Sequence, residues 1–160
     1  MMRTYVTLAG GAKSDASTIF LSLNTAGAKS KAISALAEKK LTPNYVKILS
    51  GIMKLAKTAQ KHRDKLCHWQ WGTATSVHDG LILVDPRKQI KYDPRDFDAE
   101  PTDMLVYTEK DFRDMYEACH CICGLGLRFT HLLAWNCPDE TDTQYQELCA
   151  VPALAEILNH

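Results

Sequence analysis

Two stretches of the chain, from Pro43 to about Trp69 and from Glu109 to about Trp135, carry apolar residues at the spacing of one helix face. A stripe of that period over some 25 residues is the strongest secondary-structure signal a sequence offers. Two helices of such length oblige the chain to pack helix on helix. In the first stretch Tyr45, Leu49, Ile52, Ala56 and Ala59 form the stripe. Thr42-Pro43 precedes it, with Thr suited to cap and Pro to the first helical position. In the second, Thr108 to Asp111 reads as a cap with acids in the first turn, where the helix dipole favours them. Phe112, Met115, Cys119, Ile122, Gly126, Phe129 and Leu133 then keep the period until Asn136-Cys137-Pro138 ends the helix.

The rest of the chain follows weaker signals. Ser14-Asp15 as a cap, with Ile19, Leu23, Ala26, Ile33 and Ala37 behind it, predicts a helix from about Asp15 to Lys40, with Gly27 its weak point. A last helical piece runs from about Thr141 to Leu158 and is interrupted or restarted at Pro152. Between the two long helices, residues 72–107 change pattern to short β-like runs, Leu81 to Val84 and Met104 to Tyr107. Asp85-Pro86-Arg87-Lys88 reads as the turn of a hairpin over about 81–92, and Asp93 to Asp103 as an exposed acidic loop containing proline. The prediction is an all-α fold: an up-down bundle of four to five helices with a small β-hairpin insertion, in a single domain over 1–160. That length suits one domain with a sizeable core.

Composition closes off other classes. At 46% hydrophobic and 24% charged, the chain is neither disordered nor low-complexity. It has no uncharged apolar run near the ~18 residues that span a bilayer, and Met1 to Gly11 lacks the apolar stretch of a secretory signal. The expected compartment is the cytoplasm, with no membrane partner and the six cysteines reduced. Net charge is zero, yet residues 1–65 hold twelve Lys/Arg against three acids, net +9, and residues 66–160 are net −9. A basic half suits a polyanionic partner. Two halves that neutralise one another within one fold explain the asymmetry equally well.

The chemistry concentrates where the first long helix ends, in His62-Arg63-Asp64-Lys65-Leu66-Cys67-His68-Trp69. Projected at ~100° per residue from Tyr45, Arg63 falls in the middle of the apolar stripe and His68 at ~140°. An always-charged guanidinium in that place needs a partner, either a carboxylate of a neighbouring helix or a ligand phosphate, unless it merely sits at the rim. Asp64 lies four residues before His68. It is placed to accept a hydrogen bond from one ring nitrogen and leave the other for proton transfer. Lys57, Lys61 and Lys65, with Lys47 and Lys54, share that side of the helix. Such a row can follow a phosphate backbone or simply be the solvated face.

Arg63-Asp64, three residues and then His68, at the end of a long helix, resembles the signature of the HEPN superfamily: Arg, a polar residue, a short gap and His. The Trp soon after His68 and the run Asp79 to Pro86 are similar to bacterial members. The resemblance implies a homodimer whose two motif helices meet and, in many members, a metal-independent endoribonuclease of toxin–antitoxin or phage-defence type with no cofactor. There His68 would act as general acid/base on the RNA 2′-hydroxyl and phosphate, Arg63 would stabilise phosphoryl charge, and Asp64 would orient both. Lys57, Lys61 and Lys65 would hold substrate. A cognate antitoxin or a nucleotidyltransferase-type protein is the implied partner. Other members are inactive nucleotide- or protein-binding modules.

A second cluster, Cys119-His120-Cys121-Ile122-Cys123 with His131 and Cys137, has zinc-ligand residue types. On a helix Cys121 points away from Cys119 and Cys123, and no Cys-x-x-Cys pair is present, so apolar packing is the expected role. Trp69, Trp71 and Trp135 suit core, interface or base stacking.

Overall fold

The structure, a computed structural model, describes residues 1–73, 78–89, 104–135, 137–139 and 141–159. It is mostly helical with a small three-stranded antiparallel sheet. Its contacts divide it into two compact units, residues 1–56 with 121–160, and residues 57–120.

The first unit contains α1 (Met2–Ala9), α2 (Lys13–Ser22), α3 (Ala26–Lys40), the first part of α4 (Pro43–His68), the last part of α6 (Glu109–Ala134), α7 (Thr143–Cys149) and α8 (Pro152–Leu158). Both long helices have the bounds their stripes predict. The single helix over 15–40 does not form. Leu23 and Thr25 are extended, and the Thr25 hydroxyl accepts from Ala28 N–H at 3.0 Å, capping a new helix. A threonine that satisfies an orphan N–H offers the chain a better stop than Gly27 does. Nor does Ser14-Asp15 cap α2. The cap position is Ala12, and Asp15 sits in the first turn, facing the positive end of the dipole. The short α1, which the sequence reading missed, ends at Gly10 and Gly11, both at positive φ (69° and 72°), where a side chain would be strained.

The core of this unit joins Tyr5, Phe20, Ile33, Ile48, Leu125, Phe129, Leu148 and Leu154. Tyr45 sits among Phe129 and Tyr145, at ring-centroid distances of 6.1 and 5.5 Å, and donates its hydroxyl to Pro138 O at 2.8 Å. Burial pushes its phenol up to about 12. At Gly51 the α4 backbone passes so close to α8 that an added Cβ would lie 2.8 Å from Leu154 Cδ1. Pro152 occupies the start of α8, the restart anticipated for the last helical piece.

The second unit holds the rest of α4, β1 (Gln70–Gly72), β2 (Gly80–Val84), the one-turn α5 (Pro86–Gln89), β3 (Met104–Thr108) and the start of α6. Strand order is β1-β2-β3, both pairs antiparallel, with Trp71 opposite Leu83 and Leu83 opposite Leu105. The expected hairpin turn over 85–88 is therefore replaced. The Asp85 carboxylate accepts Arg87 N–H at 3.0 Å and holds the chain in a helical turn, and β2 pairs instead with β1 and β3. The remainder of that hairpin, 90–92, and the acidic loop of 93–103 lie outside the described residues. Trp71 and Tyr107 both contact the Phe112 ring, at 5.9 and 5.8 Å, and Trp71 Nε1 donates to Leu66 O at 3.0 Å, so the sheet is tied to α4 and α6. Thr108 and Asp111 cap α6 reciprocally. Thr108 N–H donates to Asp111 Oδ2 at 2.7 Å and Asp111 N–H to Thr108 Oγ1 at 3.3 Å. No helix among the described residues is long and apolar enough to cross a membrane.

Candidate functional site

The last turns of α4 carry Lys57, Lys61, Arg63, Asp64, Lys65 and His68, all within the second unit. The buried residues of α4 end at Ile52; beyond it the apolar stripe continues only as half-buried Ala56 and Ala59. Arg63 consequently does not enter a core. Its side chain is 71% exposed, and its Nη1 lies 3.4 Å from Asp64 Oδ1, a solvated ion pair between sequence neighbours. Of the roles the sequence leaves open for Arg63, the place at the rim is the one found, because the stripe that Arg63 extends has already left the packed interface. In water its charge needs no rescue.

The Asp64 carboxylate faces Arg63, and among the described residues no hydrogen bond joins it to His68. The expected Asp64–His68 bond is thus not made, and among the described residues the exposed His68 ring has no hydrogen-bond partner. A carboxylate between two cationic candidates engages the guanidinium, whose charge is permanent.

A cleft of about 530 Å³ opens against this end of α4. Lys61, Asp64, Lys65, His68 and Trp69 line one wall, and Asp85, Pro86 and Arg87 the other. Four of the six candidate residues meet around it or at its edge: Lys61, Asp64, Lys65 and His68. Lys57 and Arg63 are not part of its lining. Lys65 Nζ sits 5.2 Å above the Trp69 ring, a cation–π contact that holds both side chains on the rim.

Arg87 and its partner Asp85 are the charged cleft residues that the sequence reading missed. Arg87 Nε and Nη2 donate to the two oxygens of Asp85, at 3.0 and 2.7 Å. Asp85 is 4% exposed, whereas the Arg87 side chain is 80% exposed. A buried carboxylate thus fixes one edge of a solvated guanidinium, and the hydrogen bond with Asp85 raises the Arg87 pKa still further. The signal was present in Asp85-Pro86-Arg87, where an Asp two residues before an Arg suits a local fork. As a hairpin turn the segment carried no chemistry. Counting side chains with His68 left out, the cleft holds three cations and two carboxylates, net +1. It suits an anion of modest charge with an aromatic or apolar part against Trp69.

Cys119 and Cys123 are exposed and Cys121 is half-buried, all three as free thiols. Among the described residues no group of three or more His, Cys, Asp or Glu is placed to hold a metal ion. Compared with protein-family models, curated proteins and solved structures, the chain matches none.

Proposed function

We propose that this chain is a HEPN-like, metal-independent endoribonuclease acting as a cytoplasmic homodimer, of the toxin–antitoxin or phage-defence kind, its helices arranged as an up-down bundle. The observation that carries the reading is the cleft in which His68 stands with Lys61 and Lys65 beside Trp69. Imidazole is the side chain suited to proton transfer near neutral pH. Flanking cations hold a phosphodiester, and an indole face accepts a base. His68 removes the proton of the RNA 2′-hydroxyl as that oxygen bonds to phosphorus. The P–O5′ bond breaks, O5′ takes a proton from water, and the protonated His68 returns its own to solvent. The products are a 2′,3′-cyclic phosphate and a 5′-hydroxyl. Arg63, solvated and held by Asp64, stabilises charge on the phosphoryl oxygens across the dimer cleft.

One observation favours a second reading. The Asp64 carboxylate is turned to Arg63, so among the described residues His68 lacks the partner that would set its tautomer. The same cleft would then bind a nucleotide or a partner protein without turnover. Incubating the protein with end-labelled single-stranded RNA in EDTA separates the two. Cleavage to cyclic-phosphate ends supports the nuclease. Retention of RNA without new ends supports the binding module, and neither binding nor cleavage removes the nuclease and leaves of the second reading only the binding of a free nucleotide or a partner protein.

A further inference from the structure

The charged groups that line the cleft at the end of α4 are not equally free. Asp64 is engaged by Arg63, at 3.4 Å, from outside the lining, and Asp85 by Arg87 from within it. Both carboxylates of the lining are therefore paired. Lys61 and Lys65 make no ion pair among the described residues, and Lys65 contacts the Trp69 ring instead. Two lysines without a counter-ion share one wall.

Arg87 stands on the other wall and is held unlike an ordinary surface arginine. Asp85 Oδ1 accepts both its backbone N–H and its Nε–H, each at 3.0 Å, and Oδ2 accepts from Nη2 at 2.7 Å. Capping the turn of α5 needs only the first of these bonds. The other two clamp the guanidinium to a carboxylate whose side chain is 6% exposed, while the Arg87 side chain stays in solvent and adds little packing. A guanidinium has five N–H donors in a planar fork. The edge made by Nη1 and the second N–H of Nη2 forms no bond among the described residues. That edge is aimed before any ligand arrives, so the rotamer freedom that a surface arginine gives up on binding is already lost here.

We propose that Arg87 binds RNA in this cleft: the free edge of its guanidinium takes one backbone phosphate through paired N–H donors, while Lys61 and Lys65 hold the neighbouring backbone from the wall of α4. The inference rests on the reading of the cleft as an RNA site and adds to it a residue that the proposed chemistry does not use. Asp85 is a positioning residue, which aims the group that touches the phosphate. Trp69, beside Lys65, gives the occupant a surface for a base, so a nucleotide chain fits the cleft better than a bare anion does.

The test uses the full chain in EDTA with a short fluorescein-labelled 2′-O-methyl RNA, read by anisotropy. That RNA has no 2′-hydroxyl proton and resists the proposed cleavage, so binding is read apart from turnover. Arg87→Gln should weaken binding about tenfold, the cost of one charge-assisted contact. It should also lower the slope of log affinity against log salt by about 0.7, the share of one phosphate on a single strand. Arg113→Gln removes the same charge from α6, outside the cleft lining, and should leave affinity within about twofold. Asp85→Asn separates aim from charge. It makes the cleft more positive, so charge alone predicts tighter binding, whereas a guanidinium released from its clamp predicts weaker binding. Should Arg87→Gln lose helical circular dichroism, with Asp85 left buried beside no cation, Arg87→Lys keeps the charge without the fork and should still bind more weakly than the wild-type chain. No binding by the wild-type chain, unchanged affinity in the Arg87 variants, an equal loss in Arg113→Gln, or tighter binding in Asp85→Asn overturns the inference. Cleavage of ordinary RNA is followed in parallel. A chain that cleaves but binds alike in Arg87→Gln loses only the inference, and one that binds through Arg87 without cleaving loses only the nuclease.

Discussion

Asp64 faces a choice between two neighbours, and the 3.4 Å contact with Arg63 decides it. The consequence is a ranking of substitutions. His68→Ala removes the proposed proton carrier, Arg63→Ala removes charge from the scissile phosphate, and Asp64→Ala removes only an exposed tether. We expect Asp64→Ala to lower RNA cleavage less than either of the others, measured as initial rates under identical conditions. That these residues share the end of α4 was legible in the sequence; their relations to one another were not. Helix projection placed Arg63 on the apolar stripe correctly but could not say that burial on α4 stops at Ile52. Tyr45 offers a second residue-scale test. Its phenol titrates near 10 in the unfolded chain and at about 12 in the native one, because burial disfavours the phenolate. The native state then holds more protons between those values. Stability is therefore full below pH ~10 and falls as pH rises through about 12. Denaturant midpoints measured from pH 9 to 12 should fall less steeply for Tyr45→Phe than for the wild-type chain.

Among the elements, the ones with long periodic stripes were legible, and the short ones depended on single side chains. α4 and α6 follow from period alone. The break between α2 and α3 turns on one hydroxyl, that of Thr25 on Ala28 N–H. Thr25→Ala should cost about 1 kcal/mol in urea unfolding, the usual loss for a threonine N-cap. β1 has three residues and only one clear anchor, Trp71, too little pattern to read. α5 replaced a hairpin turn because the Asp85 carboxylate was committed to Arg87, a side-chain preference that turn statistics do not carry. Gly51 shows a close approach that sequence periodicity hides. Projected at ~100° per residue it falls roughly 120° from the Tyr45 stripe, yet Leu154 is fully buried with its Cδ1 2.8 Å from the position of an added Cβ. Gly51→Leu should destabilise the chain by at least about 1–3 kcal/mol through overpacking, seen as a lower denaturant midpoint with helical circular dichroism retained.

For the whole molecule, the division of charge at residue 65 means that α4 ends in the most basic stretch of a neutral chain. Its cleft is only weakly positive because Asp64 and Asp85 sit in the lining. RNA affinity should therefore depend on few ionic contacts and fall gently with salt. Arg63 lies outside the cleft lining that includes His68, as expected if a two-fold dimer completes each site with groups from both copies. Mixing Arg63→Ala with His68→Ala chains should then restore part of the activity that each lacks alone. The most direct measurement is the rate of single-stranded RNA cleavage in EDTA by the wild-type chain and by His68→Ala of equal helical content. The proposed chemistry requires metal-free cleavage that falls about 10²–10⁴-fold in the variant. Equal rates, or cleavage that appears only when a divalent metal is added, would contradict it.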